Sequence, residues 1–134
     1  MQKNATKDGR RAKILIAEDD PAVRRSLQLL LQGNGFDVRS YGTGGAILAD
    51  LSSRDADCFV SDYRMPDMDG LSLIKRLRQE GWAGPAVLIT AYNTDDVRKR
   101  ACEAGYHVVL EKPLMDYVLT SVVKRLSSGV ELFR

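Results

Sequence analysis

Cysteine and histidine are scarce in this chain. The two cysteines, Cys58 and Cys102, lie far apart and form neither a CxxC nor a Cys/His metal spacing. They read as reduced, mostly buried thiols of a cytoplasmic protein, not as a metal or disulfide framework. The one histidine, His107, has no partner base and no metal-ligand spacing, so it reads as structural. No apolar stretch approaches the ~18–20 residues needed to span a bilayer, so no membrane partner is expected. The net charge is only +2, which gives no mandate for direct nucleic-acid binding. There is no internal repeat, no low-complexity run and no linker to a second domain. The opening MQKNATKDGRRA is polar and basic with no apolar segment behind it, so it is not a secretory signal. Residues 1–12 read as a disordered basic leader, 13–127 as one domain and 128–134 as a short C-terminal tail.

What the chain does have is apolar patterning. Apolar residues make up 44% and charged residues 28%, enough to build a core in one ordinary domain. KILIA (13–17) is a short continuous apolar run, the mark of a strand buried on both faces. Asp20-Pro21 then starts a helix, with Asp20 as N-cap and Pro21 at the first helical position. That helix carries Val23, Leu27, Leu30 and Leu31 at helical spacing and ends between Gly33 and Gly35. VRSY (38–41) is a shorter strand. Thr43 caps a helix with Ile47 and Leu51 on one face. CFVS (58–61) is the third strand, followed by a helix over 70–79 with Leu71, Ile74 and Leu77 inward. AVLIT (86–90) is the fourth strand. Thr94 caps a helix through Ala104 that Gly105 terminates, and HVVLE (107–111) is the fifth strand. A last helix over 114–126 has Val118 and Val122 on its buried face, and Trp82 packs over the end of the third helix. Five β/α units with short strands predict an α/β fold: a doubly wound, five-stranded parallel sheet with helices on both faces.

The residues just past each strand are the informative ones. Glu18-Asp19-Asp20 follow the first strand, Asp62 the third, Thr90-Ala91 end the fourth and Lys112-Pro113 follow the fifth. The second ends in Tyr41-Gly42 and offers no such group. In a parallel sheet these positions share the carboxyl edge, where open α/β sheets bind ligands. Acids crowded there repel one another and call for a cation. A hard, oxygen-liganded divalent ion fits that need, and Mg²⁺ commonly pairs one or two carboxylates with phosphate oxygens. A metal, an ammonium and a hydroxyl around one carboxylate make a phosphoryl-transfer site, in which the carboxylate attacks phosphorus to form an acyl phosphate.

The pattern apolar-strand–EDDP, SDYRMPDMDG, ITA and EKP resembles the receiver domain of two-component response regulators over residues 13–127. The resemblance implies the flavodoxin-like strand order 2-1-3-4-5. It implies that Asp62 accepts a phosphoryl group from a histidine kinase or histidine phosphotransfer protein. Asp19 would be a direct Mg²⁺ ligand, Glu18 a ligand mainly through water, and the backbone carbonyl of Arg64 a further ligand beside Asp62. Thr90 would hydrogen-bond the phosphoryl group, Lys112 would pair with one of its oxygens, and the bond to Pro113 would be cis. Asp20 sits one place too late for the acidic pair and stays a cap, and Asp69 caps the helix that Gly70 begins. Arg64 and Tyr92, two residues beyond Asp62 and Thr90, would overhang the phosphoryl group and slow its hydrolysis.

Many receivers carry Phe or Tyr three residues before the lysine. Here that position is Val109, and Tyr106 would face the other way along the strand. The switch motion is therefore expected to be small. Arg98-Lys99-Arg100 is a solvated helix face that in this family often meets partners.

The expectation is a stand-alone, Mg²⁺-dependent phospho-aspartate switch. It would have no activity beyond its own phosphorylation and dephosphorylation, and it would act on an effector protein or a second copy of itself. A haloacid-dehalogenase-like phosphatase would want a second acid where Arg64 stands. A flavodoxin-like cofactor binder would want glycines and hydroxyls where Glu18-Asp19 stand. A degenerate receiver serving as a scaffold would not need the full acidic set.

Overall fold

The computed structural model describes residues 9–128. Five parallel strands, β1 (Lys13–Ala17), β2 (Asp37–Tyr41), β3 (Cys58–Asp62), β4 (Ala86–Thr90) and β5 (Val108–Glu111), form one sheet in the order β2-β1-β3-β4-β5. Five α-helices connect and close it: α1 (Pro21–Gly33), α2 (Gly44–Ala49), α3 (Gly70–Gln79), α4 (Asp95–Ala104) and α5 (Asp116–Ser127). Strand alternation sorts the core into two layers. Leu15, Ala17, Phe59 and Leu88 pack toward α2, α3 and α4 with Ile47, Leu73, Leu77 and Trp82. Ile14, Ile16, Val60, Val87 and Ile89 pack toward α1 and α5 with Leu31, Leu119 and Val123. Both sides of β1, β3 and β4 are thus dry, which is why their sequences are continuously apolar.

The helix starts follow their capping residues. Asp20 accepts from the N–H groups of Ala22 and Val23, Thr43 from Ala46, Asp69 from Ser72 and Thr94 from Val97. Each satisfies an otherwise orphaned donor. Trp82 does pack beyond the end of α3, its indole N–H donating to the Ala56 carbonyl at 3.0 Å. His107 is structural, its Nδ1 accepting from the Ala86 N–H at 3.1 Å.

Four expectations need correction. Leu51 is 79% exposed, because α2 stops at Ala49. Asp50 there accepts from the Ser52 N–H and hydroxyl and from the Tyr41 hydroxyl, and the chain passes into a 3₁₀ turn over Leu51–Asp55. The buried face of α5 is centred on Leu119 and Val123, with Val122 packed against the same core layer and Val118 half-buried at its margin. Of the cysteines only Cys58 is buried, whereas Cys102 is exposed on α4. Part of the stretch expected as a leader is packed on the domain. Arg10 is paired with Asp57, and Ala12 is fully buried and accepts from the Asp37 N–H. Residues 1–8 of the expected leader and 129–134 of the expected tail lie outside the described residues.

Candidate functional site

Parallel pairing brings the strand ends into line. Ala17 stands beside Ser61, Asp62 beside Ile89 and Thr90 beside Glu111. The next residues along β1 and β5, Glu18 and Lys112, therefore reach the same rim as Asp62. The Lys112 Nζ lies 3.0 Å from Asp62 Oδ1 and 3.5 Å from Glu18 Oε1. Carboxylate oxygens of Glu18, Asp19 and Asp62 lie within 4.8 Å of one another. Residues from three strands thus meet as expected, and the Lys112–Pro113 bond is cis.

The electrostatics reflect this crowding. Glu18 is only 3% exposed. Burial raises its carboxyl above the ordinary range, the Asp20 N–H opposes this, and the charge of Asp62 adds to the rise. Burial alone would pull the Lys112 ammonium down, but the hydrogen bond and charge of Asp62, joined by Glu18, outweigh it and hold it above the ordinary lysine value. Three carboxylates against one ammonium leave the pocket short of positive charge. All-oxygen donors at this spacing fit a hard divalent cation. The group itself offers carboxylates only, among the described residues.

Thr90 is buried at the same rim, its Oγ1 accepting from the Tyr92 N–H at 2.9 Å. The guanidinium of Arg64 lies over the Tyr92 ring, 4.5 Å from its centroid. The turn after Asp62 is fastened at several points. Tyr63 N–H donates to Ile89 and Gly70 N–H to Tyr63, while Asp67 accepts from the N–H groups of Gly44 and Gly45 at the start of α2. Residue 70 must be glycine, because a Cβ there would come 2.6 Å from the Asp62 carbonyl oxygen. Sequence reasoning missed the Asp67 clamp. Its only sequence signal is an unassigned acid in MPDMDG.

The geometry also revises the reading of Tyr106. It precedes β5 and is therefore free of the strand's alternation. Its ring is buried and stacked on Phe59, its hydroxyl donates to the Gly70 carbonyl at 2.7 Å, and it joins the same core layer as Val109.

Residues 14–124 match the model of the response regulator receiver domain. The chain belongs to that family. Receiver domains of known structure superpose on it closely. One is the Francisella response regulator 1452 receiver domain, with a TM-score of 0.82 at 26% identity over 87% of this chain and 97% of that one. Another is the signal receiver domain of a histidine kinase from Syntrophus aciditrophicus, with 0.79 at 33% identity over 92% of this chain and 95% of that one.

Among curated proteins, the receiver is 32% identical to the DNA-binding transcriptional regulator NtrC of Salmonella typhimurium over 88% of its length. It is 34% identical to the transcriptional regulatory protein FixJ of Bradyrhizobium diazoefficiens over 83%. It spans only 25% of the former and 54% of the latter. The fold is the receiver fold, and the phosphatase and cofactor-binder alternatives are not favoured. No helix among the described residues is long and apolar enough to cross a membrane.

Proposed function

We propose that this receiver is a Mg²⁺-dependent phospho-acceptor, phosphorylated on Asp62 by a histidine kinase or histidine phosphotransfer protein of the cytoplasm. The carrying observation is the Lys112–Asp62 contact of 3.0 Å within a cluster of three carboxylates. Glu18, Asp19, Asp62 and the Arg64 carbonyl would hold the cation, which when bound supplies charge that offsets the phosphoryl oxygens. One Asp62 oxygen attacks phosphorus. The N–P bond of the donor phosphohistidine breaks, and its electron pair returns to the imidazole nitrogen. Lys112 stabilises the charge on a phosphoryl oxygen. The Thr90 hydroxyl, whose oxygen already accepts from Tyr92, has its proton available to donate to another.

An apolar groove of about 660 Å³, lined by Val23, Leu27, Ile89 and Leu114, opens beside Lys112 and Glu18. Its place beside Lys112 and Glu18 suits it to seat the donor protein. The stacked Arg64–Tyr92 pair shields the acyl phosphate from water, and either Arg64→Ala or Tyr92→Ala should speed self-dephosphorylation. Output is a shift between two surface states that changes binding to an effector or a second copy. With Val109 in place of an aromatic, that shift is carried by packing and is small.

The deciding experiment is phosphorylation by acetyl phosphate with Mg²⁺, read by intact mass. Wild type should gain a phosphoryl group and Asp62→Asn should not. Equal incorporation in both would defeat the proposal.

A further inference from the structure

Arg24 lies one turn into α1, its N–H bonded to the Asp20 carbonyl at 2.8 Å. Its side chain turns back instead of pointing to solvent. Nη1 donates to the Glu18 carbonyl at 2.9 Å and reaches the Asp19 carbonyl at 3.4 Å. The space it occupies exists because residue 42 is glycine. A Cβ on Gly42 would come 2.9 Å from Nη1 and 3.6 Å from Cζ. Gly42 does not have a positive φ, so its lack of a side chain serves this close approach and not an unusual backbone. The same turn is tied from β2, where the Tyr41 carbonyl accepts from the Glu18 N–H at 3.0 Å.

We propose that Arg24, in a slot kept open by Gly42, is a positioning residue of the metal site. It fixes the backbone of Glu18 and Asp19 so that both side chains converge on Asp62. It does not touch the reacting atoms. Its guanidinium grips the carbonyl side of the turn, and two carbonyls held by one rigid, planar donor leave the intervening peptide little freedom. Carboxylates that must share one small cation tolerate errors of only about 0.5 Å, so loosening this turn weakens binding even where the ligands themselves are intact. The second strand, which supplies no ligand, thus contributes to the site by being small at its end.

This inference rests on the Mg²⁺ reading above. The test is the Mg²⁺ dissociation constant, taken from amide NMR shifts, for wild type, Arg24→Ala, Arg24→Lys, Gly42→Ala and the Arg24→Ala/Gly42→Ala pair. Urea unfolding of each in EDTA accompanies it. Gly42→Ala displaces only the flexible end of Arg24, so its fold should survive. Binding should weaken roughly tenfold in Arg24→Ala and in Gly42→Ala. Arg24→Lys should recover part of the loss, and the pair should bind no worse than Arg24→Ala alone. Affinities within about twofold of wild type in both single variants, whatever their stability, would overturn the positioning role. Absence of saturable Mg²⁺ binding in wild type would instead overturn the Mg²⁺ reading, and this inference with it.

Discussion

The two edges of the sheet treat charge in opposite ways. At the amino edge, Asp57 accepts from both terminal nitrogens of the Arg10 guanidinium, at 2.8 and 2.9 Å, and from the Lys13 N–H at 2.8 Å. Arg54 and Glu80 form an ion pair nearby. These acids are matched by donors within the chain. At the carboxyl edge, Glu18 and Asp62 share the ammonium of Lys112, and Asp19 crowds against them without it. At the first edge Asp57 and Glu80 have their donors in place; at the second the acids outnumber the ammonium, and it is there that a cation could be held.

The contrast can be broken most directly by removing one acid from each edge. Asp57→Ala should lower unfolding free energy in urea by about 2 kcal/mol, because charge-assisted bonds to a largely buried carboxylate disappear. A loss near zero would mean that the amino edge is not self-sufficient. Next in size is the ligand's own contribution. At ten times its dissociation constant, Mg²⁺ should stabilise wild type by about 1.4 kcal/mol. Asp19→Asn should lose most of this, and an undiminished Mg²⁺ effect in that variant would remove Asp19 from the site. In EDTA, by contrast, Asp19→Asn should raise stability by about 0.5 kcal/mol, since an exposed acid leaves a repelling cluster. Destabilisation there would contradict the charge deficit.

The smallest effect concerns Asp50, an acid matched mainly by neutral donors. The Ser52 and Tyr41 hydroxyls lower its carboxyl from 3.8 to about 2. A depressed acid stabilises the fold fully above its unfolded value and loses that contribution as pH falls through its folded value. The urea midpoint of wild type should therefore fall between pH 3.8 and about 2 more than that of Asp50→Asn. Parallel profiles would show that the hydroxyl cage does no net stabilising.

The site was readable in sequence because topology does the assembling. Once βα units imply parallel strands, Glu18, Asp19, Asp62, Thr90 and Lys112 must share one rim without any knowledge of side-chain packing. The features that escaped depend on where a flexible or local group folds back. Arg24 looks like any helical arginine until its guanidinium is seen on the carbonyls behind it. Asp67 looks like a turn acid until it holds the start of α2. Leu51 fits helical spacing, but the capping of Asp50 ends the helix before that spacing applies. Tyr106 seemed to face away because strand alternation was extended to a residue that precedes the strand. Periodicity predicts faces within an element, and the errors at Leu51 and Tyr106 lie where an element ends or begins.

The single tryptophan of the sequence has a practical consequence. Trp82 is sealed beyond the far end of α3, its indole nearly perpendicular to the Phe59 ring and Arg78 over its own ring. The ten-residue helix between it and the rim keeps it about 15 Å away. Its emission should therefore track global melting while staying blind to events around Asp62. The molecule carries its own gauge of integrity, optically separate from the chemistry it hosts.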